Sequence, residues 1–272
     1  MTEVSAPSAS QVGLIERVRE GWFNGKTGEL APGVRIRSSH TVVDVGCGDG
    51  GLIGFCAGQS AEVIFIDRDS RRLAATEERI RQSPARAYRA IASDCDPIPL
   101  EDAIADLVIC TEVLEHVPDP AAFMRELIRV TRPGGRLLVT VPDARSEQLV
   151  AATAPAYYFQ EPNHIRIFTA AAFRNLVQEA GLEIESQQAL GCFWSLYLTL
   201  SWLTTDPAAD SGIDNPHPIP DHWTRLWHAV QAHPLGDRVR ESLNELLPRT
   251  QAIVARKPLA GGAWAYTASA MS

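Results

Sequence analysis

Residues 42–51, VVDVGCGDGG, set an acidic side chain and four glycines at the end of a short apolar run. A strand that passes into Gly46, Gly48, Gly50 and Gly51 can turn tightly and bring its backbone against a ligand with no side chain in the way. Asp44 beside that turn favours a cationic ligand, because a pyrophosphate prefers donors with no carboxylate nearby. Asp67 lies 23 residues beyond Asp44, near the ~20-residue spacing at which an acid meets ribose hydroxyls. After the next apolar run comes Ser93-Asp94, where Asp94 either accepts a hydrogen bond from an adenine amine or caps a helix. Cys47, Arg68 and Cys95 belong to the same three turns and are read with them as cofactor-binding.

A second group sits in TEVLEHV, residues 111–117. The i, i+3, i+4 spacing of Glu112, Glu115 and His116 predicts all three on one face of a single helical turn, at the sheet edge where open α/β proteins bind ligands. Downstream, NHIRIFT at 163–169 supplies His164. An unperturbed imidazole titrates near neutral pH, so His116 or His164 can act as general base with Glu115 alongside. Glu112, the first acid of the turn, is read as facing the cofactor.

Both groups need a scaffold that delivers strand ends to one edge. Short runs rich in Val, Ile and Leu predict strands at 41–45, 62–66, 87–92, 106–110 and 136–141, with helical spacing at 70–82 and 120–131 between them. This βαβ alternation predicts an α/β fold, a mostly parallel sheet covered by helices on both faces. Beyond it, Thr169 to Ala180 reads as a capped helix and Leu182 to Leu190 as a strand. Residues 192–247 read as a helical insertion before a last strand at 251–256, and 258–272 as a frayed tail. The chain is thus expected to be one domain over 1–272, with a helical segment at 1–40, a cofactor-binding core at 41–142 and an acceptor-side half at 143–257. Trp194, Tyr197, Trp223 and Trp227, with Tyr157 and Tyr158, line an acceptor pocket or pack a core or dimer contact. Arg166 pairs with an acidic acceptor or forms a surface salt bridge.

Composition narrows the partners. A formal net charge of −8 disfavours nucleic acid, whose phosphates are bound mainly by Lys and Arg. Only Lys26 and Lys257 occur, both outside the motif segments, which argues against Schiff-base chemistry. The five cysteines form no metal-type pair and read as reduced core residues. No apolar run reaches the ~18 residues of a membrane span. With no leader visible, a cytoplasmic location is expected.

The motifs together resemble the class I S-adenosylmethionine-dependent methyltransferases, over roughly residues 40–190 and the last strand. The resemblance implies a Rossmann-like seven-stranded sheet whose last strand is antiparallel. It also implies S-adenosylmethionine held by Asp44, Gly46, Gly48, Gly50, Asp67 and Asp94, and a small-molecule methyl acceptor. The ExxEH turn with a later histidine is similar to metal-dependent O-methyltransferases of ubiquinone biosynthesis and small-RNA 3′ ends. That likeness implies a divalent ion such as Mg²⁺ on Glu112, Glu115, His116 and His164, orienting a hydroxyl of a sugar, glycolipid or specialised metabolite. Two alternatives stay open. Gly46, Gly48 and Gly51 also fit GxGxxG of an NAD-dependent oxidoreductase, although no YxxxK pair is present, and a non-catalytic cofactor-binding module would act through its tryptophan-rich surface. A homodimer is compatible with either.

Overall fold

The computed structural model describes residues 7–205 and 215–259, so most of the expected tail lies outside the described residues. Helix α1 (Ala9–Arg19) starts at Ser8, which forms a capping box with Gln11. Two short strands, β1 (Glu29–Ala31) and β2 (Val34–Arg35), then pair antiparallel. The segment before residue 40 is therefore part helix and part hairpin rather than helical throughout. The chain continues through β3 (Thr41–Val45), α2 (Gly51–Gly58), β4 (Glu62–Asp67), α3 (Ser70–Arg81), β5 (Ala87–Ala92), β6 (Ala105–Thr111) and α4 (Pro120–Val130). It goes on with β7 (Thr131–Pro142), α5 (Ala144–Val150), a 3₁₀ turn (Ala156–Phe159), α6 (Ala170–Glu179) and β8 (Glu183–Leu190). Helices α7 (Cys192–Thr204), α8 (Pro218–Ala232) and α9 (Gly236–Leu246) form the insertion, and β9 (Thr250–Arg256) closes the series.

Seven strands form one sheet in the order β5-β4-β3-β6-β7-β9-β8. Neighbours pair parallel except β9, which is antiparallel to both β7 and β8. The chain order reverses beside β3, and a crevice at the carboxyl ends of the strands is the expected ligand site of such a sheet. Alternate residues of each strand feed two cores. Val43 and Val45 pack with Phe123, Met124, Leu127 and Phe173 on one face. Val42 packs with Ile53, Leu73 and Trp22 on the other. All five cysteines are buried and unpaired.

The reversed direction of β9 has a positional effect. An antiparallel strand begins where its parallel neighbours end, so Thr250 pairs with Pro142 and Leu190 at the carboxyl edge. Arg249 is thereby delivered to the same edge as the glycine turn. Arg256, at the far end, pairs with Arg136 and Glu183 at the opposite edge. No described helix is long and apolar enough to cross a membrane.

Candidate active site

A cavity of about 590 Å³ opens at the carboxyl edge of β3 to β6. Every residue read as cofactor-binding lines it except Asp44: Gly46, Cys47, Gly48 and Gly50, then Asp67 and Arg68, then Ser93 to Cys95, and Glu112. Phe23 adds a wall from the N-terminal segment. The turn is held by Gly46 and Cys47, whose N–H groups both donate to the Ile66 carbonyl at 2.9 and 3.0 Å. Gly46 has a left-handed φ of 74°, and a Cβ there would come within 2.5 Å of Val113 Cγ2. At Gly48 the surroundings are open to 4 Å, so its backbone faces the cavity bare. The Gly48 N–H donates to Asp67 Oδ2 at 2.8 Å, and the Asp69 N–H to Asp67 Oδ1 at 2.8 Å. Asp67 is thus fixed by the loop it helps to shape.

Asp44 lies beneath this turn, 1% exposed. Its Oδ1 is buried without a hydrogen-bond partner. Burial, with help from the nearby Asp67 charge, pushes its pKa up to about 7.

The expected helical turn of Glu112, Glu115 and His116 does not form. Glu112 takes a left-handed φ of 54°, which redirects the chain at the end of β6. Its carboxylate accepts from Thr140 Oγ1 at 2.8 Å on the neighbouring strand. Glu115 and His116 follow in a separate turn, closed by the His116 N–H donating to the Val113 carbonyl at 2.9 Å. Glu115, His116 and His164 can each bring one ligand-type atom within 4.8 Å of the others, and Glu112 is not in that group. The structure thus brings together three of the four residues expected as ligands and leaves Glu112 apart from them.

Backbone bonds bring His164 across the chain. The Ile165 N–H donates to the Glu115 carbonyl at 3.1 Å, and the His164 N–H to the Tyr158 carbonyl at 3.0 Å. A bridge between Asp143 and Phe168 pins the end of the segment to the end of β7. The two imidazoles meet edge to face, with centroids 5.0 Å apart. His116 Nδ1 is 3.1 Å from the Pro162 carbonyl. A carbonyl can only accept, so the neutral ring carries its proton on Nδ1 and leaves Nε2 free. That Nε2 lies 3.7 Å from Glu115 Oε1.

His164 is held by a buried ionic network that sequence reasoning missed. Its Nδ1 is 2.9 Å from Glu147 Oε2, and Glu147 is fully buried on α5. Arg249 donates to Glu147 and, at 2.9 Å, to the Tyr158 hydroxyl. Tyr158 in turn packs on the His164 ring at 4.2 Å. Burial disfavours the Glu147 carboxylate, yet His164 and Arg249 hold its pKa below the usual range. Burial likewise works against Arg249, but Tyr158, Glu112 and Glu147 keep it charged. Glu115 is not held in the same way: burial and the Glu112 charge raise its pKa well above the ordinary value against a smaller opposing pull from Arg249, and neither carboxyl oxygen has a hydrogen-bond partner.

A family model described as a methyltransferase domain matches residues 19–187. The chain belongs to that methyltransferase family. A Mycolicibacterium smegmatis relative, itself assigned as an S-adenosylmethionine-dependent methyltransferase, is 33% identical over 152 residues, 56% of this chain and 54% of its own length. A ubiquinone biosynthesis O-methyltransferase of Aeromonas salmonicida is 28% identical over 183 residues, 65% of this chain and 74% of the relative. The chain thus spans about half to three quarters of these curated relatives. Among solved structures, geranyl diphosphate C-methyltransferase of Streptomyces coelicolor, in complex with Mg²⁺, geranyl-S-thiolodiphosphate and S-adenosyl-L-homocysteine, matches with a TM-score of 0.55. At 13% identity, over 91% of this chain and 76% of that one, the likeness is one of fold.

The aromatic insertion lies beyond the residues matched by the family model, and of its two expected roles, acceptor wall or packed core, the burial of its rings favours the core. Tyr197 and Trp227 are each 1% exposed and pack with Trp194, Trp223, Phe193 and Val12 of α1. Trp223 stacks on Trp227, and its Nε1–H donates to the Phe193 carbonyl. Those four aromatics form a core shared by α7, α8 and α1. Tyr158 sits in the ionic network, with Trp202 as its aromatic neighbour. Tyr157 is exposed. Arg166 donates to the Pro118 carbonyl at 3.0 Å and faces a separate shallow cavity between α4 and α6.

Proposed function

We propose that the protein transfers the methyl group of S-adenosylmethionine to a hydroxyl of a small acceptor, such as a sugar, glycolipid or specialised metabolite. One observation carries the proposal: Glu115, His116 and His164 converge beside a cavity whose wall includes His116 and Glu112. The ubiquinone O-methyltransferases among the relatives support an oxygen acceptor.

The residues present fit both implied groups. Asp44 offers a buried, unpartnered acceptor beneath a bare glycine turn, which suits a ligand bearing ammonium and sulfonium charges. When bound, S-adenosylmethionine supplies an electrophilic methyl carbon. Asp67 and Asp94 take its ribose and adenine ends, with Cys47, Arg68, Ser93, Cys95 and Glu112 around them. The orphaned Glu115 carboxylate and the spare Nε2 atoms of His116 and His164 fit a divalent cation such as Mg²⁺, which would act as a Lewis acid lowering the acceptor hydroxyl's pKa.

Glu147 is the positioning residue. By accepting the His164 Nδ1–H it fixes the ring's tautomer and aims the Nε2 lone pair at the Glu115 side, and it stabilises the imidazolium after proton uptake. Arg249 keeps Glu147 ionised. Holding the acceptor oxygen in line with the methyl carbon supplies much of the acceleration; His164 removes the hydroxyl proton only when its Nε2 carries no cation, any cation then being held by Glu115 and His116.

The test is an assay of the purified protein with S-adenosylmethionine and a panel of phenolic and sugar hydroxyl acceptors, with Mg²⁺ or with EDTA. Methylated product on an oxygen, detected by mass spectrometry, is expected. Transfer only to nitrogen or carbon acceptors would overturn the oxygen assignment, and absence of S-adenosylhomocysteine binding would overturn the whole reading.

A further inference from the structure

The amino-terminal edge of the sheet, away from the candidate active site, carries a second polar cavity of about 330 Å³. Five arginines line it: Arg35 and Arg37 from the stretch before β3, Arg132 and Arg136 from β7, and Arg256 from the end of β9. Three of them form a fixed frame. Arg136 and Arg256 share Glu185 at 2.7 and 2.6 Å, and Arg132 pairs with Asp106, which also accepts from the Thr41 N–H. Arg35 and Arg37 line the same cavity with no side-chain partner among the described residues. Two carboxylates against five guanidinium groups leave a local excess of three positive charges, in a chain whose net charge is −8.

His40 reports the same convergence. Its Nδ1 is buried without a partner. Burial lowers its pKa, and the positive charges of Arg37, Arg132 and Arg136 lower it further against the opposing pull of Asp106. Like charges gathered around one concavity repel unless an anion neutralises them. Guanidinium forks match phosphate oxygens two at a time, so arginine rather than lysine is the residue type suited to that anion.

We propose that this cavity binds a phosphate-bearing anion, a phosphomonoester or a diphosphate, with Arg35 and Arg37 as the grasping pair on a frame set by Arg132, Arg136 and Arg256. The cavity's size is at the lower end for small-molecule sites, and the chain's overall negative charge works against an extended polyanion. The site is independent of the methyl-transfer reading, since none of its residues lines the cofactor cavity.

Calorimetric titration of the full chain at low ionic strength, with inorganic phosphate, pyrophosphate and matched sodium chloride, tests it. Saturable pyrophosphate binding is expected, and the Arg35→Ala/Arg37→Ala double variant should bind at least roughly tenfold more weakly. An Arg89→Ala variant on the exposed edge strand β5 should bind as the parent does. S-adenosylhomocysteine titrations should be the same in all three proteins, which separates failure here from failure of the proposed function. Vesicles containing phosphatidic acid give the second arm: capture that soluble phosphate competes away assigns the anion to a lipid headgroup, and soluble binding without capture assigns it to a free metabolite. Equal heats with chloride, or undiminished affinity in the double variant, would overturn the proposal.

Discussion

Around the cavity at the carboxyl edge, three acids stand at or just beyond the end of a strand: Asp67 closes β4, Asp94 follows β5 by two residues, and Glu112 follows β6 by one. Around His164 the partners come from positions 115, 147, 158 and 249, on a turn, a helix, a 3₁₀ turn and the approach to the last strand. The first region takes its geometry from the sheet, and backbone bonds suffice to place its residues. The second takes its geometry from buried charge, which holds together only if every member is present. One region is therefore expected to tolerate single substitutions with local losses, and the other to respond as a unit.

The sharpest way to break that contrast is His164→Ala. Turnover is expected to fall by about two to four orders of magnitude, with S-adenosylhomocysteine affinity within about threefold of the parent. A parallel loss of affinity, read by calorimetry, would mean that the two regions are not separable. Asp67→Ala probes the other side. Removing an acid that would meet the ribose and that braces the Gly48 N–H should weaken S-adenosylhomocysteine binding about tenfold to a hundredfold, with little change in melting temperature.

Glu147→Gln keeps the shape and removes the charge. A fall in kcat of about tenfold to a hundredfold is expected, as for other residues that orient a histidine. Stability should drop by about 3–5 kcal/mol in urea unfolding, because Arg249 is left buried and uncompensated. Unchanged stability would show that the network is not a unit.

The smallest expected effect concerns pH. Asp44 has its pKa raised from 3.8 to about 7, so the folded protein without ligand binds this proton more tightly than the unfolded chain does. Its contribution to stability accordingly falls as pH rises from about 4 to about 7. A cationic ligand favours the carboxylate, so its binding should release a proton near pH 6 to 7. Affinity for S-adenosylmethionine should rise severalfold with pH and level off above about 7. Calorimetry in buffers of different ionisation heat measures the release, and Asp44→Asn should abolish it.

The contrast also explains what could be read from residues alone. Strands β3 and β5 match their expected bounds, and helices α7, α8 and α9 fall within the stretch expected to be a helical insertion, because apolar periodicity and glycine turns are local signals. The Glu112 turn was misjudged for a local reason too, since spacing does not reveal a left-handed φ at a non-glycine residue. Arg249 and Glu147 meet across 102 residues, which no pattern along the chain encodes. A trace of the network was nonetheless present: Ala144, Glu147 and Val150 recur at helical spacing, and all three are buried. A carboxylate at the middle position of an apolar face requires a cation from elsewhere in the fold. The tryptophans leave the choice open in the sequence, as large aromatic side chains serve a helical core as readily as a ligand wall, and burial decides for the core.

Arg249 directly precedes β9, the strand that runs antiparallel to its neighbours in the seven-stranded sheet, so it emerges from synthesis after every other member of its ionic network. A nascent polypeptide gains its glycine turn, Asp67, Asp94, Glu115, His116 and His164 long before the guanidinium that pairs with Glu147 emerges. Until then Glu147 has His164 but no guanidinium as its partner. A truncation just before Arg249 would keep residues 19–187, which match the family model, and is expected to lose the guanidinium that helps hold Glu147 ionised.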